Sequence, residues 1–480
     1  MCPLSRVSSI GWQRSIREIL ISLLLLLVPA KGWTATYYVA TTGNDSNSCS
    51  TAQNIGTPKK TIRSGLSCPG PGDTLSIRGG TYPEILVDGF PGGTSWAAPV
   101  TIKAYPGETV ILQPTAPQNC PYCNYILTLT QPSEQYIIFE SLIFDGYNKV
   151  MGTVDVTGNP GPVGAHHIRF LNCEVRWGGG SLYASHTHHN EWIGGSIHDN
   201  GTIYETGLIS HGIYIASESS DNLVDGVRIY NNAHYGIHNY DEPLAANRNV
   251  FRNNIVYNNG VLSNSGCGIL YTGGQDGVVH NNIVYGNPGG GICVGHGGTA
   301  ANISVYNNTI VGNAGNDGFA ALLLQTGSGH VVRNNISWNN GFSNYLDHTA
   351  ATFDHNLIGI NPLFVNAATA DFHLQASSQA IDAGVPWTSA TVAGSSSTTL
   401  TVQDGRAFLA GDSIRIATQA TVTVAAVSGS TLTLSSARTW ASGASVSPAY
   451  NGNAPDQGAL ESGATAYPPI PPPQNFRTSP

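Results

Sequence analysis

The sequence predicts an all-β fold, a right-handed parallel β-helix solenoid that carries a small inserted β unit near its C-terminus. The first observation is a short phrase, Asn-Ile-Val-Tyr or a close variant, that begins at Asn254, Asn282, Asn308 and Asn335. The second is a Gly-Ile phrase that recurs at Gly212, Gly236, Gly268 and Gly291. The third is composition, because 57 glycines and only 10% charged residues favour frequent turns over helices with charged faces. A period of about 20–50 residues is the signature of a repeat architecture.

Each repeat unit contains short strands separated by polar corners. For one coil the strands are predicted at 236–240, 249–251 and 254–257. Three strands per turn favour a parallel β-helix over leucine-rich repeats, which need a lattice of leucines, and over propeller blades, which need about 40 residues each. An Asn follows each phrase. Because Asn tolerates the left-handed backbone conformation and stacks in ladders, these residues are expected to form the bends.

The first 30 residues have the pattern of a signal peptide. Arg14 and Arg17 precede an apolar run at 19–28, which is too short to span a bilayer. Removal of this segment on export places the mature protein outside the cell, on the cell surface or in the periplasm. A short membrane anchor is the alternative.

Residues 31–82 are expected to form an N-terminal cap and the first coil. A solenoid needs a cap because the apolar interior of its first coil otherwise meets water. A short helix at 58–66 fits this place. Export permits disulfides, and Cys49 and Cys68 are the preferred pair because they flank this unit.

The other cysteines are given structural roles. Cys120 and Cys123 have redox or zinc spacing, but two thiols do not complete a tetrahedral zinc site. A local disulfide is the simpler interpretation. Cys173, Cys267 and Cys293 are expected to be packed residues of the coils rather than reactive thiols.

The C-terminal part departs from the repeat. Residues 83–384 are assigned to the β-helix, and the Thr-, Ser-, Val- and Ala-rich segment 385–450 alternates with period two, which predicts a small antiparallel unit. Residues 451–466 resume the closing pattern of the solenoid. The Pro-rich tail at 467–480 is expected to be extended or disordered.

The charge balance limits the partners. The net charge is −9, with 20 Lys and Arg against 29 Asp and Glu. Nucleic acid is therefore excluded as the expected partner, because phosphate neutralisation needs a basic surface. After the signal peptide no run approaches the roughly 20 apolar residues of a membrane span. A monomer without an integral membrane segment is expected.

Several phrases resemble the exported right-handed β-helix superfamily of bacteria, which has the pectate-lyase-like fold. They are the repeats themselves, the opening at 38–45, and the closing phrases at 361–364, 381–384 and 456–458. The closing phrases are similar to the end segment of surface-associated β-helix proteins. The resemblance implies the fold and an extracellular polysaccharide as partner. The superfamily includes lyases, glycoside hydrolases, epimerases and adhesive proteins, and the fold does not choose among them.

The enzyme branches of this superfamily transfer no catalytic residue to this sequence. Many pectate-type lyases use a Lys or Arg base and Ca²⁺ held by carboxylates, but no Lys occurs after Lys149. Gly295-His296-Gly297 matches one polygalacturonase motif, but the Asn-Thr-Asp motif and the Asp pair of that branch are missing. Ca²⁺ therefore stays open as a cofactor, and the sequence assigns no metal ligand.

Strand alternation predicts a site at the N-terminal edge of the regular array. Aligning the Gly-Ile phrases stacks Tyr214, His238, Leu270 and Cys293 in one outward row. Neighbouring coils lie about 4.8 Å apart, so Tyr214 and His238 are expected to touch. His and Tyr residues gather here, whereas later coils present apolar residues. The predicted catalytic residues are His238, Tyr240, His211 and Tyr214, and the predicted substrate-binding residues are His188, Asp241, Glu242, Arg228 and Tyr183.

This chemistry favours proton transfer on an acidic polysaccharide. A His/Tyr pair can remove and return a proton near neutral pH, and a proton α to a uronate carboxyl group gives β-elimination or epimerisation. An Arg such as Arg228 is expected to hold the uronate carboxylate. Glycoside hydrolysis, which needs two placed carboxyl groups, and a non-catalytic carbohydrate-binding or adhesive surface are the alternatives. Metal binding at 186–189 needs a further ligand.

Overall fold

The computed structural model describes residues 34–114, 125–147, 150–158, 164–201, 210–241, 244–262, 264 and 266–464. The predicted signal peptide, the Pro-rich tail, Cys120, Cys123 and Glu242 lie outside the described residues. Among the described residues, no helix is long and apolar enough to cross a membrane.

Three long parallel sheets run along the described chain, and each coil adds one strand to each sheet in the order A, B, C. Sheet A contains Thr36–Val39, Thr74–Ile77, Val100–Ala104, Gln135–Glu140, His166–Leu171, Glu191–Ile193, Leu223–Asp225, Val250–Arg252, Val278–His280, Ser304–Tyr306, Val331–Arg333 and Thr352–Asp354. Sheet B contains Gly80–Tyr82, Val110–Leu112, Ile143–Asp145, Glu174–Arg176, Ser196–His198, Arg228–Tyr230, Ile255–Tyr257, Ile283–Tyr285, Thr309–Val311, Ile336–Trp338 and Leu357–Ile358. Sheet C contains Leu86–Val87, Leu127–Leu129, Gly152–Thr157, Gly180–Ser185, Ile213–Ala216, Ile237–Tyr240, Ile269–Tyr271, Ile292–Val294, Leu322–Leu324 and Leu346–Asp347. This architecture confirms the predicted right-handed parallel β-helix.

The interior of the solenoid is a continuous apolar stack. Side chains alternate along each strand, so Ile213 and Ile215 are fully buried while Tyr214 between them stays partly exposed. Equivalent inward positions of successive coils carry Val, Ile, Leu or Phe, as at Val154 and Ile237. The outward positions are left free to differ from coil to coil.

Buried asparagines form ladders at the corners, as the sequence predicts. Between sheets A and B the ladder joins Asn254, Asn282, Asn308, Asn335 and Asn356, with amide-to-amide hydrogen bonds of 2.9–3.0 Å. A second ladder between sheets B and C contains Asn200, Asn232, Asn259, Asn287, Asn313 and Asn340. At many of these corners the residue directly before the ladder asparagine has the left-handed backbone conformation, for example Asn253 and Asn281. Bending and stacking are thus divided between two consecutive residues.

Replacing one ladder asparagine with alanine is expected to destabilise the solenoid strongly. The Asn282 side chain accepts hydrogen bonds from the backbone and side-chain amides of Asn254 and donates to the Phe251 carbonyl. Because each buried group left without a partner costs about 1–3 kcal/mol, Asn282→Ala should lower the free energy of unfolding by at least about 2 kcal/mol. Urea unfolding followed by circular dichroism measures it. Asn366→Ala, at an exposed asparagine, is the control and should leave the free energy of unfolding almost unchanged. Equal losses of stability in the two variants would contradict a ladder role for Asn282.

The N-terminal cap contains a shorter helix than predicted. One helical turn, Ile62–Gly65, replaces the expected helix at 58–66. Thr61 has extended backbone and its side chain accepts a hydrogen bond from the Ser64 amide, which makes it the N-cap and prevents an earlier start. Three-residue 3₁₀ turns lie at Thr51–Gln53, Asn316–Gly318 and Ala367–Thr369.

Two disulfides lie in the described part of the chain. Cys49 and Cys68 are bonded, which is the pair that the sequence favours. Cys267 and Cys293 are also bonded, although the sequence predicts only packed coil residues. These two cysteines are 26 residues apart and lie on adjacent coils, whose strands Ile269–Tyr271 and Ile292–Val294 are paired. Cys173 is a buried free thiol, as expected.

The predicted insertion is a separate antiparallel sheet. Its strands are Thr388–Ser389, Gly394–Thr401, Ser413–Ile416, Val422–Ser428, Thr431–Trp440 and Ser445–Pro448. Its apolar core continues into the outer face of sheet A through residues such as Leu223, Val250 and Val278. Arg252 of sheet A also reaches Asp412 of this unit, 2.8 Å from Nη1 to Oδ1. Small strand pairs also form between Gly274–Gln275 and Ala300–Ala301, and between Phe364–Asn366 and Asp371–Leu374.

Candidate active site

The outer face of sheet C carries a row of polar and aromatic side chains. The strand register pairs Asp155 with Tyr183, Tyr183 with Tyr214, Tyr214 with His238, and His238 with Leu270. The Tyr214 and His238 rings stack with centroids 4.7 Å apart and planes 8° apart. Tyr183 and Tyr214 follow at 5.4 Å. The structure therefore has the outward row predicted from the Gly-Ile phrases.

His211 and two further tyrosines surround His238. The His211 ring lies 4.4 Å from the His238 ring and 5.2 Å from that of Tyr214, in both cases nearly perpendicular. Tyr235, which the sequence analysis missed, lies 4.7 Å from the His238 ring, and Tyr240 lies 5.5 Å away. Tyr235 immediately precedes the Gly236 phrase, just as His211 precedes the Gly212 phrase, and this alignment was the signal that could have found it.

Three buried polar atoms on this face have no hydrogen-bond partner among the described residues. They are Asp155 Oδ1, His211 Nδ1 and His238 Nδ1. Buried polar groups in native proteins are nearly always paired, and an exception in a cleft points to a ligand or to a catalytic role. The atoms of His211 and His238, whose rings are in contact, therefore mark one place where a polar ligand would gain hydrogen bonds, and Asp155 marks another three coils away in the same row.

Burial controls the protonation of these groups. It lowers the pKa of His238 to about 3 and the pKa of His211 well below its ordinary range, and neighbouring histidines add to both effects. Burial likewise raises the pKa of Tyr214 to about 12, with a smaller contribution from Tyr183. At neutral pH the face therefore combines imidazoles able to accept a proton with a phenol able to donate one.

Asp155 is a site residue that the sequence analysis missed. Burial, assisted by the charge of Asp88, raises the pKa of its carboxyl group to about 7. The sequence pattern that indicates Asp155 is the alternation Val154-Asp155-Val156, in which two buried valines place the carboxyl group outward. The spacing of the coils is irregular in this region, so the alignment with Tyr183 becomes visible only from the strand register.

Some predicted substrate-binding residues lie elsewhere. Arg228 is exposed on the outer face of sheet B, so it does not join the sheet C row; its strand aligns with Ile255–Tyr257 rather than with the Gly-Ile phrases. Asp241 follows the His238 strand, which ends at Tyr240, and its carboxylate accepts a hydrogen bond from the Glu218 amide at 2.6 Å. His188 lies in the corner that follows the Tyr183 strand, in a cluster of histidines.

The sheet C face becomes apolar beyond His238. Leu270 and Leu323 continue the outward row, and Phe319 and the Cys267–Cys293 disulfide pack with them in one buried cluster. The polar row is thus confined to the coils before Leu270. This boundary agrees with the sequence-based expectation that later coils present apolar residues.

Sheet B has an aromatic ladder of a different kind. Rings of Tyr230, Tyr257 and Tyr285 stack at 4.9 Å with planes 7–9° apart, and His198 stacks on Tyr230 at 4.6 Å. Each ring face is covered by the next ring, so the ring edges face outward. Sheet C is the better candidate face because its row, unlike this ladder, contains buried polar atoms without a partner among the described residues.

Comparisons with known proteins agree with this architecture. Residues 163–310 match the family model described as "Right handed beta helix region". The solved structure of pectate lyase Pel9A is similar at 16% identity with a TM-score of 0.54, over 90% of this chain and 98% of that chain. A rhamnogalacturonan lyase matches at 16% identity with a TM-score of 0.49, over 70% of this chain and 92% of that chain. An alginate lyase from Paenibacillus sp. matches at 18% identity with a TM-score of 0.40, over 62% of this chain and 96% of that chain.

A search of the curated proteins finds no match. The likeness to the pectate lyase, at this identity, shows a shared fold. Activity must therefore be argued from the sheet C face itself.

Proposed function

We propose that this exported β-helix protein acts on an acidic extracellular polysaccharide by proton transfer at the outer face of sheet C. The observation that carries the proposal is that buried polar atoms of His211 and His238 have no partner among the described residues and lie beside the Tyr214 ring, with the unpaired Asp155 oxygen two coils from Tyr214 in the same row. The fold shared with a pectate lyase supports a polymer as substrate, because the open face of a β-helix admits a chain along its length.

The proposed reaction is β-elimination at a uronate residue. A neutral imidazole, that of His238, removes the proton α to the carboxyl group, and the electron pair forms the C4–C5 double bond. The C4–O4 bond breaks, and the Tyr214 hydroxyl donates its proton to the leaving oxygen. Epimerisation is the variant in which a proton returns to C5 from the opposite side, so the glycosidic bond stays intact.

The uronate charge itself completes the site. The described outward row, from Asp155 to His238, contains no Lys or Arg, and Arg228 is on another sheet. A carboxylate brought against an imidazole favours the protonated ring and raises its pKa. We assign to His211 the imidazole that contacts the uronate carboxylate, and this leaves His238 as the base. Substrate binding then changes the basicity of both rings.

Glycoside hydrolysis is the second candidate, and Asp155 is the observation that favours it. A carboxyl group whose pKa burial raises to about 7 has the property of a general acid that protonates a leaving oxygen. Asp241 follows the His238 strand, three coils from Asp155, so the second carboxyl group that hydrolysis needs is not assigned.

The products distinguish these reactions. Purified full-length protein is incubated with polygalacturonate, alginate and neutral glycans. Elimination produces a conjugated double bond that absorbs in the ultraviolet, epimerisation in D₂O introduces deuterium at C5 without cleavage, and hydrolysis releases reducing ends without new absorbance. Retention on the polymer without any of these products would overturn the enzyme proposal and leave a binding protein.

Replacing Asp155 with asparagine is expected to change how stability depends on pH. The folded pKa of about 7 exceeds the unfolded value of about 3.9. The contribution of Asp155 to stability is thus complete below about pH 4 and is lost as the pH rises to about 7. Because Asn stays neutral, the free energy of unfolding of Asp155→Asn relative to the wild type should rise across this pH window by up to about 4 kcal/mol. Thermal unfolding from pH 4 to pH 8 measures the gain.

Asp382→Asn is the control of opposite sign. Backbone hydrogen bonds from Ala454 and Asn453 lower the pKa of the Asp382 carboxyl group. Its contribution to stability is present above the unfolded pKa of about 3.9, so this variant should be less stable than the wild type by a nearly constant amount above about pH 5. If the melting temperatures of Asp155→Asn and the wild type change in parallel with pH, Asp155 is not a buried, largely protonated group.

A further inference from the structure

Four histidines form a two-by-two arrangement at the corner that leads from sheet C into sheet A. His166 stacks on His188 with ring centroids 4.7 Å apart, and His167 stacks on His189 at the same spacing. Within each coil the neighbours face each other, with Nδ1–Nδ1 distances of 2.6 Å for His166–His167 and 2.8 Å for His188–His189. All four side chains are partly exposed, so the cluster is open to solvent.

The backbone beneath the cluster holds it in place. Asn190 accepts a hydrogen bond from the Ile168 amide and donates to Thr187 Oγ1 at 2.7 Å, which ties the two coils together beside the histidines. Asn190 also donates to the Asn222 side chain of the next coil at 3.0 Å. His167 and His189 both have left-handed backbone, with φ values of 56° and 57°, so the same bend directs both pairs.

We propose that His166, His167 and His188 bind one transition-metal ion of the zinc class. One ring nitrogen from each residue lies within 4.8 Å of the others. Two nitrogens bound to a tetrahedral zinc stand about 3.3 Å apart, given a Zn–N distance of about 2.0–2.1 Å. Modest rotation of the rings, which opens the 2.6 Å His166–His167 contact, brings the three nitrogens to this spacing.

The ligand chemistry selects the class of ion. Imidazole nitrogen suits zinc, copper and nickel, whereas calcium takes oxygen ligands. Asp221, an acidic residue in the next coil, is held by the Arg248 guanidinium through hydrogen bonds of 2.6 and 2.8 Å. The cluster is therefore an imidazole site, unlike a carboxylate site for Ca²⁺, and three ligands leave one position open for water or a further group.

Bound metal would connect two coils directly upstream of the proposed catalytic face. His166 and His167 belong to one coil, and His188 to the next, immediately after the strand Gly180–Ser185 that carries Tyr183. An ion that bridges them stabilises the folded chain by an amount that grows with the logarithm of its free concentration above the dissociation constant. This inference does not depend on the polysaccharide reaction.

Zinc titration of the tag-free, metal-stripped chain tests the site. Isothermal calorimetry should show one Zn²⁺ per chain, with no competition from Ca²⁺, and zinc should raise the melting temperature. His166→Ala and His188→Ala should each weaken binding by at least about 100-fold, since loss of a direct ligand exceeds the 10–100-fold cost of losing an outer partner. Co²⁺ bound by the wild type should give the intense visible bands of a tetrahedral site.

His348→Ala, at an exposed histidine outside the cluster, is the matched control and should leave zinc affinity unchanged. Metal-stripped wild type and variants should have the same circular dichroism and melting temperature, which separates ligand loss from misfolding. Fewer than one zinc per chain, or equal affinity in wild type, His166→Ala and His188→Ala, would overturn the proposal.

Discussion

Replacing His238 with alanine is expected to lower turnover of the acidic polysaccharide by about 10²–10⁴-fold, the usual contribution of a general base. The ring stacks on Tyr214 at 4.7 Å, and its Nδ1 has no partner among the described residues. Removal of the ring therefore takes away the proposed proton acceptor while the outward tyrosines remain. Initial rates of double-bond formation, followed by ultraviolet absorbance, measure the effect, and polymer retention on the same variant should persist.

Two further variants interpret this result. Tyr214→Phe keeps the ring stack and deletes only the hydroxyl, so its rate should also fall while its melting temperature stays near that of the wild type. His348→Ala changes an exposed histidine far along the chain and should retain full activity. If His238→Ala turns over substrate at the wild-type rate, the proton acceptor is another residue and the proposed mechanism is wrong.

The repeat phrases were sufficient to predict much of the sheet C row. Strand alternation has period two, so placing Ile213 and Ile237 inward necessarily places Tyr214 and His238 outward. The matching Gly-Ile phrases then determine the register between coils. The same reasoning correctly predicted the buried Asn ladders, because only a repeated polar residue in a repeated corner can form them.

Residues outside the repeated phrases were harder to predict. Arg228, expected to bind the substrate, lies on sheet B and not in the sheet C row, because its strand pairs with Ile255–Tyr257 and lies outside the Gly-Ile phrases. Asp155 lies where coil spacing is irregular, so no phrase aligns it with Tyr183. The partners of His188 were also hidden, because His166 lies 22 residues earlier and the two rings meet only when their coils stack.

Removing the buried guanidinium of Arg252 is expected to destabilise the junction between sheet A and the inserted unit by about 3–5 kcal/mol, the cost of leaving a buried charge uncompensated. Arg252 Nε donates to Asp225 at 2.8 Å, and Nη1 donates to Asp412 at 2.8 and 3.0 Å. Its side chain is only 4% exposed. Arg252→Met fills a similar volume but leaves two carboxylates facing each other in the buried junction.

Urea unfolding and limited proteolysis within residues 385–450 measure the loss of this contact. Arg228→Met, at an exposed guanidinium on sheet B, is the matched control and should change stability by less than about 0.5 kcal/mol. Adding Asp225→Asn and Asp412→Asn to Arg252→Met should recover much of the stability, because no buried charge then remains. If the single variant is near neutral, or the triple variant shows no recovery, the junction depends on its apolar contacts instead.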